Sequence, residues 1–337
     1  MNNRYPFSPF PNGWFRIAYS NELTVKKVIP LHYFGKDLVL FRTEDGIAHV
    51  FDAHCPHLGA HLGYGGCIKG NNIHCPFHGW GFNSQGDCIN IPYANKIPPK
   101  SQIYAWPVRE FNGMIMVYHH AEKKPPTWEM TSVPKWDANE WTPFKSHRWK
   151  IRIHPQEMAE NAMDSAHMTF LHHQTFRELK NPCSEIEGPL FIRRVSPKYH
   201  LPFVGKLGAE AEGLLEVACY GLGCQIAYSS LKVIVDLNAI SVVMPTPIDE
   251  EYLEVHIVIS VKKLFNPILT WAFANRINKE VVSNIEQDIP IWENKLYRPQ
   301  PLLCDRDGPI MQYRQWVRQF YSDMSATTRE KFRVNIA

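Results

Sequence analysis

Two cysteine–histidine pairs constrain this chain more than any other feature. Cys55-Pro56-His57 is followed, after seventeen residues, by Cys75-Pro76-Phe77-His78-Gly79-Trp80. Each pair offers one soft thiolate and one imidazole, and together they can serve a single metal centre. Proline and glycine flank both pairs, which predicts two tight loops on a small β scaffold. Eight cysteines in 337 residues are too few for a disulfide framework. The first residues, Met1 to Pro6, also lack the apolar core of a signal peptide, so a cytoplasmic location is expected. Cysteines clustered beside histidines in such a chain point to metal rather than bridges.

Composition removes several other classes. With 45% hydrophobic and 12% aromatic residues, the chain can bury enough surface to offset the entropy of folding, which excludes disorder. A length of 337 residues suits one large domain or two medium ones. A net charge of +3 is too small to argue for nucleic acid or a lipid surface. No stretch approaching about 18 residues is uniformly apolar, so no membrane span is expected.

The first third reads as β structure. Residues 38–41 and 47–51 are β-prone runs separated by Glu44-Asp45-Gly46, which predicts a hairpin. Residues 114–118 form another run, entered through Asn112-Gly113. Lys123-Lys124-Pro125-Pro126 reads as a stiff connector, giving two domains over residues 1–125 and 126–337. Residues 156–172 contain no proline or glycine and look helical. Strand-like runs follow over residues 214–261, with a turn at 247–250, as in an antiparallel meander. Phe273, Ile277, Val281, Ile285 and Trp292 recur near helical spacing, so residues 270–295 are expected to form a long helix on that sheet, locally kinked near Asp288 by Pro290.

The spacing of the two pairs does not separate a structural zinc from a Rieske [2Fe–2S] centre, which needs two cysteines for one iron and two histidines for the other. The loop setting favours the cluster, and Trp80 can cover it. His54, His61 and His74 read as loop histidines, and Cys67 and Cys88 as packing residues. A second group lies at Asn161, Asp164, His167 and His172. Asp164 and His167 share a helical face, but His167 and His172 are roughly 140° apart on an ideal helix. They converge only if the helix bulges or ends between them. By spacing alone these histidines read more readily as packing than as ligands, and Asp288 as a solvated helix charge or a capping partner.

Cys-x-His-x17-Cys-x2-His followed by Asp-x2-His-x4-His resembles the Rieske non-haem iron oxygenases. The segments 287–295, 301–303 and 313–321 are similar to the subgroup of bacterial 3-ketosteroid 9α-hydroxylases and animal cholesterol 7-desaturases. The likeness runs from about Gly13 to Tyr321 and is weakest between Glu178 and Leu214, where substrate contacts are expected. It implies an α+β protein, with an all-β Rieske domain followed by a helix-grip, START-like catalytic domain. It implies Cys55, His57, Cys75 and His78 as ligands of a [2Fe–2S] cluster, and His167, His172 and Asp288 as ligands of a mononuclear Fe(II). Asp164 would connect that iron to the cluster of a neighbouring subunit, with Asn161 close to the metal and His173 second to it or on the surface.

The implied activity is that of a terminal oxygenase, taking electrons from NAD(P)H through a separate flavin or ferredoxin reductase. It would use dioxygen to hydroxylate or desaturate a hydrophobic, steroid-like or polycyclic substrate. No G-x-G-x-x-G opens a helix after a strand, in keeping with a separate reductase. A homotrimer follows from the same resemblance. Other readings are an O- or N-demethylase or N-oxygenase on the same scaffold, and a Rieske electron carrier with a lipid-binding domain. Arg177, Lys180, Arg193 and Arg194 read as a solvated face, or else as a polar rim or donor-docking patch.

Overall fold

The Glu44-Asp45-Gly46 segment turns the chain as its composition predicts: the Gly46 amide donates to Thr43 O, and Gly46 takes a φ of +85° that glycine adopts without strain. The strands it joins are part of a computed structural model that describes residues 4–130, 132–201, 209–233 and 235–322. The chain divides into two units. Of the described residues, those within 12–132 and 246–250 make up one, and the rest make up the other. Neither the assignment of residues before Pro11 to the second unit nor that of 246–250 to the first is visible in the sequence pattern.

The first unit is built from short antiparallel strands in three sheets. In chain order they are β1 (Gly13–Tyr19), β2 (Val28–Tyr33), β3 (Lys36–Arg42), β4 (Ala48–Asp52), β5 (Cys67–Lys69), β6 (Asn72–His74), β7 (Gly81–Phe82), β8 (Cys88–Asn90), β9 (Ala105–Trp106), β10 (Val108–Phe111) and β11 (Met114–His119). The sheets run β1-β11-β10, β2-β3-β4-β9 and β5-β6-β7-β8. Val39, Phe41 and Phe51 pack in one buried cluster with Cys55, Cys75, Trp80 and Phe82, so the cysteine loops stand on the core of the β scaffold.

The second unit holds β12 (Lys145–Ile151), β13 (Phe176–Glu187), β14 (Leu190–Leu201), β15 (Ala209–Tyr220), β16 (Cys224–Lys232), β17 (Asp236–Pro247, all but its last two residues) and β18 (Leu253–Val261). They form one seven-stranded sheet in the order β12-β18-β17-β16-β15-β14-β13. The helices are α1 (Pro155–Glu160), α2 (Ser165–Phe170), α3 (Pro267–Asn294) and α4 (Ile310–Trp316). Asn266 caps α3 by accepting from the Ile268 and Leu269 amides, and Pro267 occupies the first turn, where no amide is needed. The helix runs on through Pro290 to Asn294. Its Ile277, Val281, Ile285 and Trp292 pack against Ile151, Leu253, Val255 and Ile257 of the sheet. Each such side chain contributes roughly 1.5–3 kcal/mol when fully buried. This is the expected α+β arrangement of an antiparallel sheet gripping a long helix. Among the described residues no helix is long and apolar enough to cross a membrane.

Residues 156–172 depart from the single helix their composition predicts. The chain turns at 161–164, and Asp164 takes extended angles and accepts from the Ala166 and His167 amides, starting α2 afresh. A local side-chain cap thereby outcompetes helix continuation.

Candidate metal centres

The two cysteine loops are built alike. The Cys55 amide donates to Ala60 O and the Gly59 amide to Cys55 O; the Cys75 amide donates to Trp80 O and the Gly79 amide to Cys75 O, all at 2.8–3.0 Å. Gly59 and Gly79 take φ values of +75° and +73°, which close each loop. His54 and His74 also occupy equivalent places, each with Nδ1 set to donate to a glycine carbonyl, Gly59 O or Gly79 O. They are structural members of a local repeat, His-Cys-Pro with a glycine five residues after the histidine, and His74 lies on β6 rather than in a loop. Cys88 is buried, as a packing residue should be, whereas Cys67 is exposed.

Both Cys55 and Cys75 are buried, and the rings of His57 and His78 lie 4.7 Å apart, edge to face. Trp80 stacks on His57 at 4.8 Å and donates from its indole nitrogen to the Tyr93 hydroxyl. Burial pushes the Cys55 thiol up to about 11, so its thiolate needs a neighbouring cation. The Nδ1 atoms of His57 and His78 are buried without a hydrogen-bond partner among the described residues. A bare buried nitrogen costs roughly 1–3 kcal/mol, and a coordinated metal removes that loss. Two buried thiols and two bare imidazole nitrogens fit a [2Fe–2S] cluster of the mixed-ligand kind.

In the second unit, ligand atoms of His167, His172 and Asp288 lie within 4.8 Å of one another. The helix ends between the two histidines: α2 stops at Phe170, and the His172 amide reaches back five residues to His167 O at 3.3 Å. The 140° disparity of an ideal helix is thus removed. His167 Nδ1 lies 2.7 Å from the Asp164 carbonyl, so it carries the proton and leaves Nε2 as a lone-pair donor. The Asn161 amide spans the gap, 3.2 Å from His167 Nε2 and 3.2 Å from Asp288 Oδ2. Burial raises the Asp164 carboxyl, but hydrogen bonds with His167 and Ala166 outweigh it and hold it below the usual carboxylate range. His172 Nδ1 is buried without a partner among the described residues. Two imidazoles and a carboxylate on one side of an open space fit a non-haem iron and leave positions free. His173 is exposed.

That space is a cavity of about 160 Å³ between the sheet and α3. Its sheet wall follows the two-residue period of the strands: Arg193 and Val195, Leu215 and Val217, Gln225 and Ala227, then Val243. Arg193, expected on a solvated face, is only 5% exposed and donates to Ser165 Oγ. The alternation Phe191, Arg193, Val195 could have placed it inward, because both apolar neighbours in that period are buried. Gln225, which sequence reasoning missed, is 7% exposed, and its Nε2 has no partner among the described residues.

Comparison with known proteins completes the picture. Residues 13–109 match the Rieske [2Fe-2S] domain family, and residues 117–321 match the 3-ketosteroid 9alpha-hydroxylase C-terminal domain family. The cholesterol 7-desaturase nvd of Xenopus laevis is 33% identical over 334 residues, covering 94% of this chain and 73% of the relative. That of Drosophila melanogaster is 30% identical, covering 94% and 76%. A 3-ketosteroid-9-alpha-monooxygenase oxygenase component of Rhodococcus rhodochrous is 28% identical, covering 95% and 84%. Dicamba monooxygenase bound to dicamba shares the fold, with a TM-score of 0.67 at 15% identity, covering 92% of this chain and 97% of that one. Pseudomonas putida NdmB does so with a TM-score of 0.69 at 17% identity, covering 95% and 93%. A carrier made of the first unit alone does not account for the match over 117–321. The chain is an oxidoreductase with a Rieske [2Fe–2S] domain, and it belongs to the Rieske oxygenases as a terminal oxygenase component of the branch with the 3-ketosteroid 9α-hydroxylase C-terminal domain.

Proposed function

We propose that this chain oxidises a hydrophobic, steroid- or sterol-like substrate, by monooxygenation or desaturation, beside an iron held by His167, His172 and Asp288. The observation that carries this reading is the convergence of those three side chains on a cavity walled mainly by apolar residues of the sheet and α3. Cys55, Cys75, His57 and His78 would hold a [2Fe–2S] cluster able to deliver single electrons, and His167, His172 and Asp288 would hold an iron suited to dioxygen chemistry.

The chain's own residues have separate tasks. Asp164 fixes the tautomer of His167 through its carbonyl and caps α2 through its carboxylate. Asn161 orients His167 and Asp288 with one amide group. Met158, Ala162, Met168 and Val195 exclude water from the space where the substrate carbon must lie. The Asp164 carboxylate is 37% exposed, which leaves it accessible to a neighbouring subunit as the link in a homotrimer. An oxygenase component implies a separate reductase, which we take to be a flavin or ferredoxin protein drawing on NAD(P)H. We place the assembly in the cytoplasm.

Iron and acid-labile sulfide per chain, with the EPR spectrum of the reduced, anaerobically purified protein, test the reading. Three irons, two sulfides and a Rieske spectrum are expected, with cholesterol or progesterone converted once a reductase and NAD(P)H are added. His167→Ala should hold two irons with the spectrum unchanged. Zinc without sulfide would overturn the assignment.

A further inference from the structure

A second cavity of about 160 Å³, here the outer lobe, neighbours the one beside the triad, here the inner lobe. Leu215 and Ala227 line both lobes. The same helix walls both: Ile285, Asp288 and Trp292 the inner lobe, and Ile277, Glu280 and Asn284 the outer. Eight residues separate Glu280 from Asp288, which is on the order of 12 Å along a helix rising 1.5 Å per residue.

The outer lobe contains Tyr199, on β14. Its hydroxyl is buried and has no hydrogen-bond partner among the described residues. The ring is held in place. Phe176 lies 5.5 Å from it, and Gly213 of β15 approaches so closely that a Cβ there would come within 2.8 Å of Tyr199 Cε2. Glu280, the charged group in the same lobe, is engaged with Arg276 at 3.3 Å. Burial raises the Tyr199 pKa, with the Glu280 charge adding to it, so the group remains an O–H donor at neutral pH.

A buried hydroxyl left bare in a cavity loses free energy that a ligand oxygen can restore. We infer that Tyr199 is a specificity-determining residue: its hydroxyl bonds a hydroxyl or carbonyl oxygen at the end of the substrate remote from the carbon oxidised at the triad. This deepens the substrate reading above and rests on it. The substrate is accordingly an elongated apolar molecule with an oxygen at its far end, and the bond sets which carbon faces the metal ligands.

The test is equilibrium binding to the iron-loaded protein, with two pairs of ligands delivered from cyclodextrin. Cholesterol is compared with cholestane, and progesterone with pregnane, each second member being the same skeleton without oxygen. Wild type should bind the oxygenated member of at least one pair about tenfold more tightly. Tyr199→Phe should erase that margin by weakening the oxygenated member alone. A margin that survives in Tyr199→Phe, an equal loss for both members, or no margin in wild type overturns the anchor and leaves the substrate class standing. Failure of all four to bind wild type overturns the class, and the anchor falls with it.

Discussion

His172 Nε2 lies 3.3 Å from Asp288 Oδ1, with the two side chains only 4% and 6% exposed. They lie 116 residues apart in sequence, one just past α2 and the other within α3. A carboxylate so far from water needs a cation or a set of donors, and the Asn161 amide supplies only part of that. Replacing Asp288 by Ala is therefore expected to lower iron by one per chain and abolish product formation. The cluster's EPR signal should stay as in wild type. Loss of the cluster signal in that variant would show that the two centres do not form independently.

Asp164 has two functions that one pair of substitutions can separate. Its Oδ1 caps α2, and an asparagine keeps such a cap whereas alanine does not. Asp164→Ala should cost about 1 kcal/mol in a denaturant titration, and Asp164→Asn a few tenths at most. Both should lower turnover about tenfold to a hundredfold while iron and sulfide stay at wild-type content, because the charge beside His167 is lost in each.

The glycines of the cysteine loops differ in their surroundings. A Cβ at Gly59 meets nothing within 4 Å, whereas one at Gly79 meets Pro92 Cγ at 3.0 Å. Gly59→Ala bears only the cost of a positive φ, roughly 1–2 kcal/mol. Gly79→Ala adds the contact with Pro92. The temperature at which visible absorbance of the cluster disappears should fall for both, and further for Gly79→Ala.

His154 gives the stability a pH dependence of known sign. Burial holds its pKa down, from 6.5 to about 3, and its Nδ1 accepts from the Gln156 amide at the start of α1 while Nε2 donates to Ser8 O. The unfolded chain binds this proton near pH 6.5 and the folded chain only near 3. This residue's contribution is thus fully present above 6.5 and declines as pH falls towards 3. Urea titrations across that interval should show a shallower decline for His154→Asn, which keeps a capping oxygen but does not titrate.

The cysteine–histidine loops are legible in the sequence because each is closed by bonds among six neighbouring residues, with proline and glycine marking the turns. The triad is not. His167 and His172 meet only because the helix ends between them, and no proline or glycine announces the cap at Asp164. Asp288 joins them across the packing of α3 on the sheet, a long-range contact that residue spacing does not encode. The β13–β14 hairpin was invisible for another reason. Arg177, Glu178, Asn181, Glu185 and Glu187 on its outer strand are exposed edge residues, without the one-sided apolar alternation that marks a covered strand.

Because α3 carries Asp288 on one turn and walls the outer lobe two turns earlier, a single helix joins the proposed metal site to the proposed far end of the binding space. Substitution at Ile277 or Val281 reshapes what the helix accommodates without bending the turn that presents the carboxylate. Descendants of such a protein can change the molecules they accept while inheriting the chemistry intact.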